Sequence, residues 1–185
     1  MNAIRVLIGI ALFVGLSAPG VAAEPVADPY AGQEKRSIKA LSNDDIAALR
    51  KGDGMGLAKA AELNSYPGPR HVLALARKLR LTDSQTDQVT ATHDRMSASA
   101  RPLGAELINR ERLLDQLFAK GEITPEQLTA ETSAIGQLQG RLRAVHLAAH
   151  LETRASLSPQ QVAQYDRLRG YTKAASSHDH AAGHQ

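Results

Sequence analysis

The 185-residue chain has no cysteine, no tryptophan and few aromatic residues, which make up only 3% of it. Without cysteine it forms no disulfide bonds and has no thiol chemistry, so its stability has to come from helix packing. With so few aromatic side chains, a thick and deep core is not expected. A thin, cradle-like layer of helices that completes its burial by dimerising fits this composition better.

The chain also lacks a strong charge of either sign, since 22 lysine and arginine residues face 19 aspartate and glutamate residues. Such a small excess argues against nucleic acid as a partner. No region alternates apolar and polar residues with a period of two, so we expect no strands. No nucleophile stands beside a base in the pattern, so we expect no catalytic residues and no enzyme.

The one long apolar run lies at the amino terminus and is typical of a secretory signal. Residues 6–16 are apolar but too few to span a bilayer, and Val21-Ala22-Ala23 is a small-residue cleavage site. We expect a signal peptide over 1–23, cleaved after Ala23; an uncleaved membrane anchor is the alternative. The segment 24–40 shows weak periodicity and is expected to be an extended, mobile arm.

A short pattern that marks the start of a helix occurs three times, at 81–85, 123–127 and 157–161. Each copy has a branched apolar residue, a hydroxyl residue, two variable positions and a glutamine. This is a capping box, in which the hydroxyl oxygen accepts from the backbone amide of the glutamine and the glutamine side chain accepts from the backbone amide of the hydroxyl residue. The capping pairs are Thr82 with Gln85, Thr124 with Gln127, and Ser158 with Gln161.

These signals predict an all-α domain over 41–173 that is built around an antiparallel helical hairpin. The hairpin helices are expected over 82–120 and 124–155, with Gly121 ending the first helix. Pro102 predicts a bend or a short break near 98–102. The flanking short helices are expected over 42–50, 57–64, 70–80 and 158–171, and the segment 174–185 is expected to be a disordered tail.

Two histidines on the return helix are the main candidate metal ligands. His146 and His150 are four residues apart, so their side chains lie on one helical face, where neutral imidazoles can share an ion. With the hairpin turn near residue 122, His150 lies next to His93 and His146 lies close to Met96. The alternative is that these histidines cover the edge of an apolar seam and bind nothing. His71, one helix earlier, is expected to be a surface residue.

The histidine-rich tail is a second, weaker candidate. His178, His180 and His184 form a tract without fixed geometry, which is either an unselective chelator or a soluble tail. No cofactor is required by the sequence; zinc or another divalent transition metal is the ion that these ligands suggest.

Basic residues along the hairpin are a third constellation. Interleaved with apolar groups, they form either an amphipathic surface that holds unfolded chains without ATP or an ordinary solvated face. They are Arg95, Arg101, Arg110, Arg112, Lys120, Arg141, Arg143 and Arg154.

The motif copies at 81–85 and 157–161 resemble the Leu-Thr-x-x-Gln motif of the Spy/CpxP family, which includes zinc-resistance-associated and heavy-metal-sensing proteins. The resemblance covers about 70–173, and it departs from the family at Ser158, at Pro102 and in the late position of the histidine pair. Only the caps Thr82, Gln85, Ser158 and Gln161 are carried over, as structural residues.

The resemblance implies an all-helical, cradle-shaped homodimer in the periplasm. Such a protein binds unfolded or misfolded envelope proteins under stress, without ATP. Other members bind zinc, copper or nickel, and some act with a membrane sensor protein. A chaperone-like function is therefore our first expectation, and heavy-metal binding or sensing is the alternative.

Overall fold

A computed structural model describes residues 28–171, and the predicted signal peptide and histidine-rich tail lie outside this range. The chain divides into two compact units, Met1–Ala31 and Gly32–Gln185. The described end of the first unit is a turn, in which the amide of Ala31 donates to the carbonyl of Asp28 at 2.9 Å. All helices of the described residues belong to the second unit.

The second unit is all-helical, as the sequence predicts, and its described part contains no strand. A one-turn 3-10 helix at Gln33–Lys35 is followed by α1 Asn43–Lys51, α2 Lys59–Glu62, α3 Pro69–Ala74, α4 Ala76–Leu79, α5 Asp83–Lys120, α6 Pro125–Ala155 and α7 Pro159–Arg169. No helix within 28–171 is long and apolar enough to cross a membrane. The helix expected over 70–80 is two short helices, because Leu75 interrupts it with φ of −105° and ψ of 9°.

Capping boxes begin four of the helices, three of them at the repeated motif. Thr82, Thr124 and Ser158 each accept a bond from the amide three residues later, and the glutamine there accepts from the N-cap amide. Ser42 and Asp45 make the same exchange at the start of α1. Each box satisfies amides that have no partner inside the helix, and the predicted starts are confirmed.

The hairpin of α5 and α6 is confirmed as well. Gly121 ends α5 in the left-handed conformation, with φ of 69°. Arg95 donates to Glu152 at 2.7 Å, and Arg110 donates to Glu131 at 3.3 Å. Higher numbers on α5 therefore meet lower numbers on α6, in the register that a turn near residue 122 predicts.

Helix α5 passes through Pro102 without interruption, so the short break that was one expectation does not form. Proline lacks the amide that would bond to the carbonyl of Ala98. Both Ala98 and Pro102 are exposed, so water reaches this carbonyl and the helix tolerates the missing bond.

Two apolar clusters hold the helices together. The first joins the segment before α1, α1 itself, and the central parts of α5 and α6; it contains Ile38, Leu49, Ala100, Leu107, Ile108, Ile135, Leu138 and Leu142. The second joins α3, α4, the start of α5 and α7; it contains Val72, Leu79, Val89, Leu157, Val162 and Tyr165. The stretches of α5 and α6 between the two clusters carry the candidate ligands.

The residues just before α1 differ from the extended, mobile arm expected over 24–40. Ile38 is only 1% exposed and belongs to the first cluster. The amide of Lys39 donates to Asp115 on α5 at 3.2 Å. An isolated apolar residue has no periodicity, so the pattern gave no sign of this docking; residues 24–27 lie outside the described part.

The glutamines of two motif copies bind each other across the fold. The Gln85 amide nitrogen donates to the Gln161 amide oxygen at 2.9 Å, and Gln161 donates back at the same distance. Each also donates to a backbone carbonyl, Gln85 to that of Ser156 and Gln161 to that of Leu79. The start of α5 and the start of α7 are thereby joined by side chains that also serve as caps.

Candidate metal-binding site

Every histidine and every methionine among residues 28–171 lines one cavity of about 670 Å³. Helix α5 supplies His93 and Met96, and α6 supplies His146 and His150. The loop after α1 adds Met55, and α3 adds His71. The structure therefore brings together the four residues that the hairpin register placed near one another, and adds two that it did not.

Glycines make room for the two imidazoles of α6. A Cβ atom at Gly68 would lie 2.9 Å from Cε1 and Nε2 of His150, closer than real Cβ contacts allow. A Cβ at Gly54 would lie 3.3 Å from Nδ1 of His146. These two glycines belong to the loops after α1 and before α3, so those loops form the cavity wall that faces α6.

His150 has one ring nitrogen fixed by the backbone. Its Nδ1 lies 2.7 Å from the carbonyl oxygen of Tyr66. A carbonyl only accepts, so Nδ1 carries a proton, and in the neutral ring the lone pair is then on Nε2. A histidine held in this way by a carbonyl is oriented for metal binding through its other nitrogen.

His146 is 3% exposed, and its Nε2 is fully buried without a hydrogen-bond partner. A buried polar atom without a partner costs free energy that a bound group can recover. Burial lowers the pKa of His146, the neighbouring His150 lowers it further, and the nearby Asp53 opposes both. The imidazole is therefore neutral at neutral pH, which is the form that binds metals.

The cavity lining contains two carboxylates, Asp53 and Glu62. Asp53 accepts from Arg70 at 3.2 Å. Glu62 is mostly buried and accepts from Tyr165 at 2.5 Å and from Tyr171 at 3.2 Å, and it also accepts from the amide of Gly68 at 3.1 Å.

Further nitrogen-bearing side chains surround Glu62. Its carboxylate lies 3.4 Å from Nδ1 of His71, 3.7 Å from Nδ1 of His150 and 3.6 Å from Arg169. Burial lowers the pKa of His71, with Arg169 adding to the shift and Glu62 opposing it. Both carboxylates of the cavity are thus engaged by protein groups.

Within 28–171, no three side chains of histidine, cysteine, aspartate or glutamate lie close enough together to hold one ion. His146, His150 and Met96 line the same cavity, with the two histidines one helical turn apart on α6 and Met96 on the facing stretch of α5. His93 has its Nδ1 3.2 Å from Asp94 and is a less direct candidate.

Sequence reasoning missed Met55, Glu62 and His71. His71 was expected at the surface, whereas its half-exposed ring contacts Glu62 and lines the cavity. The available signal was compositional: outside the tail, the few histidines and internal methionines are the residues of one site. The tail histidines His178, His180 and His184 lie outside the described residues, so their metal binding stays a prediction.

Comparison with known proteins gives one family. The model of a family described as heavy-metal resistance matches residues 54–164, which include the ligand-bearing parts of α5 and α6. No curated protein and no solved structure matches the chain. The match spans more than half of the sequence and agrees with the resemblance noted from the motifs. The chain therefore belongs to the heavy-metal resistance family of Spy/CpxP-like proteins.

Proposed function

We propose that this protein is an exported, periplasmic metal-binding protein of heavy-metal resistance, and that it holds its ion in the cavity between α5 and α6. The carrying observation is that all histidines and methionines of residues 28–171 line this cavity. His146 and His150 supply imidazoles, and Met96 supplies a thioether. Such ligands bind soft or borderline transition metals.

The proposed role needs no chemistry beyond binding. The Tyr66 carbonyl holds His150 with Nε2 free, and burial keeps His146 neutral. Export would place the protein where metal ions enter the cell envelope. Because an oriented, neutral imidazole loses little freedom on coordination, the site is prepared for its ion before the ion arrives.

The test is a metal-binding titration on a background that removes the tail. In the full chain carrying His178→Ala, His180→Ala and His184→Ala, we expect one ion per chain by equilibrium dialysis. Adding His146→Ala and His150→Ala should abolish that binding. Gln137→Ala with Arg141→Ala is the matched control, since it has the same spacing on an exposed part of α6.

The outcomes distinguish an ion bound in the cavity from an ion bound by the tail. Loss of the ion in the histidine double variant, with retention in the control, supports the cavity site. Loss of all binding on removing the tail histidines alone would overturn it, because the ion would then be held by the tail. Circular dichroism of each variant checks that the helices are intact.

We infer a second candidate function, an ATP-independent chaperone for unfolded envelope proteins, from the exposed apolar side chains near the hairpin turn. Leu113, Phe118 and Leu128 are 39%, 57% and 40% exposed. Isolated exposed apolar residues are ordinary, but several together favour a binding surface. Several hairpin bases are paired with acids, including Arg95 with Glu152 and Arg110 with Glu131, which favours the solvated-face alternative for those residues.

The chaperone candidate is tested by light scattering of a reduced, unfolding client protein. Suppression of aggregation at near-stoichiometric ratio that is lost in Phe118→Ser with Leu128→Ser would support it. Suppression that persists in this variant would assign client binding to another surface. No suppression by the unaltered protein would remove the candidate.

The homodimer and a membrane sensor partner remain predictions. Sedimentation of the purified protein tests whether it is a dimer.

A further inference from the structure

The cavity offers an ion neutral donors and no free anion. Its two carboxylates are engaged, Asp53 by Arg70 and Glu62 by tyrosines, an amide and Arg169. The remaining donors are imidazoles and two thioethers, Met55 and Met96. A divalent ion held by neutral ligands keeps its full charge inside the protein, which is costly without a carboxylate or thiolate.

The charged side chains around the cavity also disfavour a divalent ion. Four basic side chains line it, Lys51, Lys59, Arg70 and Arg101, against the two carboxylates. The excess positive charge repels a cation, and the repulsion of a divalent ion is twice that of a monovalent ion at the same place. The cavity therefore favours the ion of lower charge.

The number of available ligands also favours a monovalent ion. Zinc takes a tetrahedral set of nitrogen, sulfur or oxygen ligands, yet no three such side chains of histidine, cysteine or acid converge within 28–171. Thioether sulfur is a soft ligand and selects monovalent copper. Two imidazoles and one thioether satisfy such an ion, which accepts fewer ligands than zinc.

We propose that the ion of this site is monovalent copper, bound by His146, His150 and the sulfur of Met96, with silver(I) as its analogue. This inference rests on the proposed metal-binding function and specifies its ion. Met96 lies on α5 while the histidines lie on α6, so the ion would bridge the two helices of the hairpin. The buried, unpartnered Nε2 of His146 marks the imidazole that has most to gain from a ligand.

The experiment compares silver(I), copper(I) and zinc(II) on the full chain with the three tail histidines replaced by alanine. Affinities come from competition with chromophoric chelators, under anaerobic conditions for copper(I). The informative variant is Met96→Leu, which conserves volume and should fold normally. Met96→Leu is expected to weaken silver(I) and copper(I) at least about tenfold and to leave zinc(II) within about twofold.

A spectroscopic measurement gives a second readout. X-ray absorption of the copper(I)-loaded protein should show one sulfur scatterer beside nitrogen, and the sulfur should disappear in Met96→Leu. Silver(I) should raise the melting temperature of the protein that keeps both cavity histidines. It should not raise the melting temperature of the variant with His146→Ala and His150→Ala. Leu103→Met, on the same helix but outside the cavity, is the control for methionine content.

Each outcome has one meaning. If an ion binds and is lost in the histidine double variant, but Met96→Leu has no effect and no sulfur is seen, the monovalent copper assignment is wrong and the metal-binding function stands. If zinc(II) binding falls with Met96→Leu as much as silver(I) binding, the assignment is also wrong. If no ion binds once the tail histidines are removed, both proposals fail.

Discussion

At the residue scale, Gln85 and Gln161 have two roles that differ in their dependence on distant parts of the chain. Each closes a capping box within its own helix, and each donates to the other across 76 positions of sequence. Gln127 closes the third box but makes only the local bonds. A comparison of the three glutamines therefore distinguishes the contribution of a cap to the free energy of unfolding from the contribution of the pair between Gln85 and Gln161.

Gln127→Ala should lower the free energy of unfolding by about 0.5–2 kcal/mol through loss of a cap. Gln85→Ala and Gln161→Ala should each cost more, because each also removes the two hydrogen bonds between the glutamines and one to a backbone carbonyl in a partly buried site. Denaturant unfolding of both single variants and the double variant should show a coupling of about 0.5–3 kcal/mol. Strictly additive losses, equal to that of Gln127→Ala, would mean that the tertiary pair adds nothing.

Gly68 lies against a ligand, whereas Gly140 lies on the open face of α6. Gly68→Ala should destabilise the protein by about 1–3 kcal/mol, because the new Cβ displaces the imidazole of His150. Gly140→Ala meets no atom within 4 Å and should stabilise α6 by up to about 1 kcal/mol. Urea unfolding checks both; equal effects of the two substitutions would show that His150 is not held against Gly68.

At the scale of the element, α5 is continuous although it contains Pro102. Pro102→Ala should raise the free energy of unfolding by up to about 3 kcal/mol, because the carbonyl of Ala98 regains a partner. Pro125→Ala is the control, since a proline in the first turn of α6 costs no hydrogen bond. Thermal melting decides: a lower melting temperature for Pro102→Ala would show that a bend at this point is required by the packing of α5.

At the scale of the whole molecule, Glu62 joins elements that are far apart in sequence. Its carboxylate on α2 meets His71 on α3, His150 on α6, and Tyr165 and Arg169 on α7. The loss of this one side chain would remove a partner from polar groups on three other helices. The ligand-bearing stretch of α6 and the last helix are therefore linked through one buried acid.

Tyr165 makes this junction sensitive to alkaline pH. Burial raises the pKa of Tyr165, with the hydrogen bond to Glu62 as the second cause and Arg169 opposing. In the unfolded chain a tyrosine loses its proton near pH ~10. Above that pH the unfolded state holds fewer protons than the folded state, so stability falls as pH rises, by up to about 1.4 kcal/mol per pH unit.

Denaturant unfolding between neutral and strongly alkaline pH checks this expectation. Tyr165→Phe should be less stable at neutral pH, because it loses the bond to Glu62, but its stability should fall less steeply above pH ~10. Tyr30→Phe, at a residue that is 74% exposed, is the control and should follow the unaltered protein. Parallel curves for Tyr165→Phe and the unaltered protein would contradict the prediction.

The sequence by itself determined where the helices with capping boxes begin, where α5 ends, and the register of the hairpin. Capping boxes and the stop at Gly121 depend on residues three or four positions apart, so they can be read from the chain directly. With the turn fixed, helical periodicity then placed His93, Met96, His146 and His150 near one another. All four line the same cavity.

Only the tertiary structure decided which distant groups complete these local ones. The burial of Ile38, the partners of Glu62, the pairing of Gln85 with Gln161 and the glycine-lined wall beside the histidines all join residues far apart in sequence. Such contacts leave no periodic signal, because they arise from how the short helices and loops pack on the hairpin. The helix starts are therefore set by residues close together in sequence, whereas the cavity forms only when the short helices and loops pack on the hairpin.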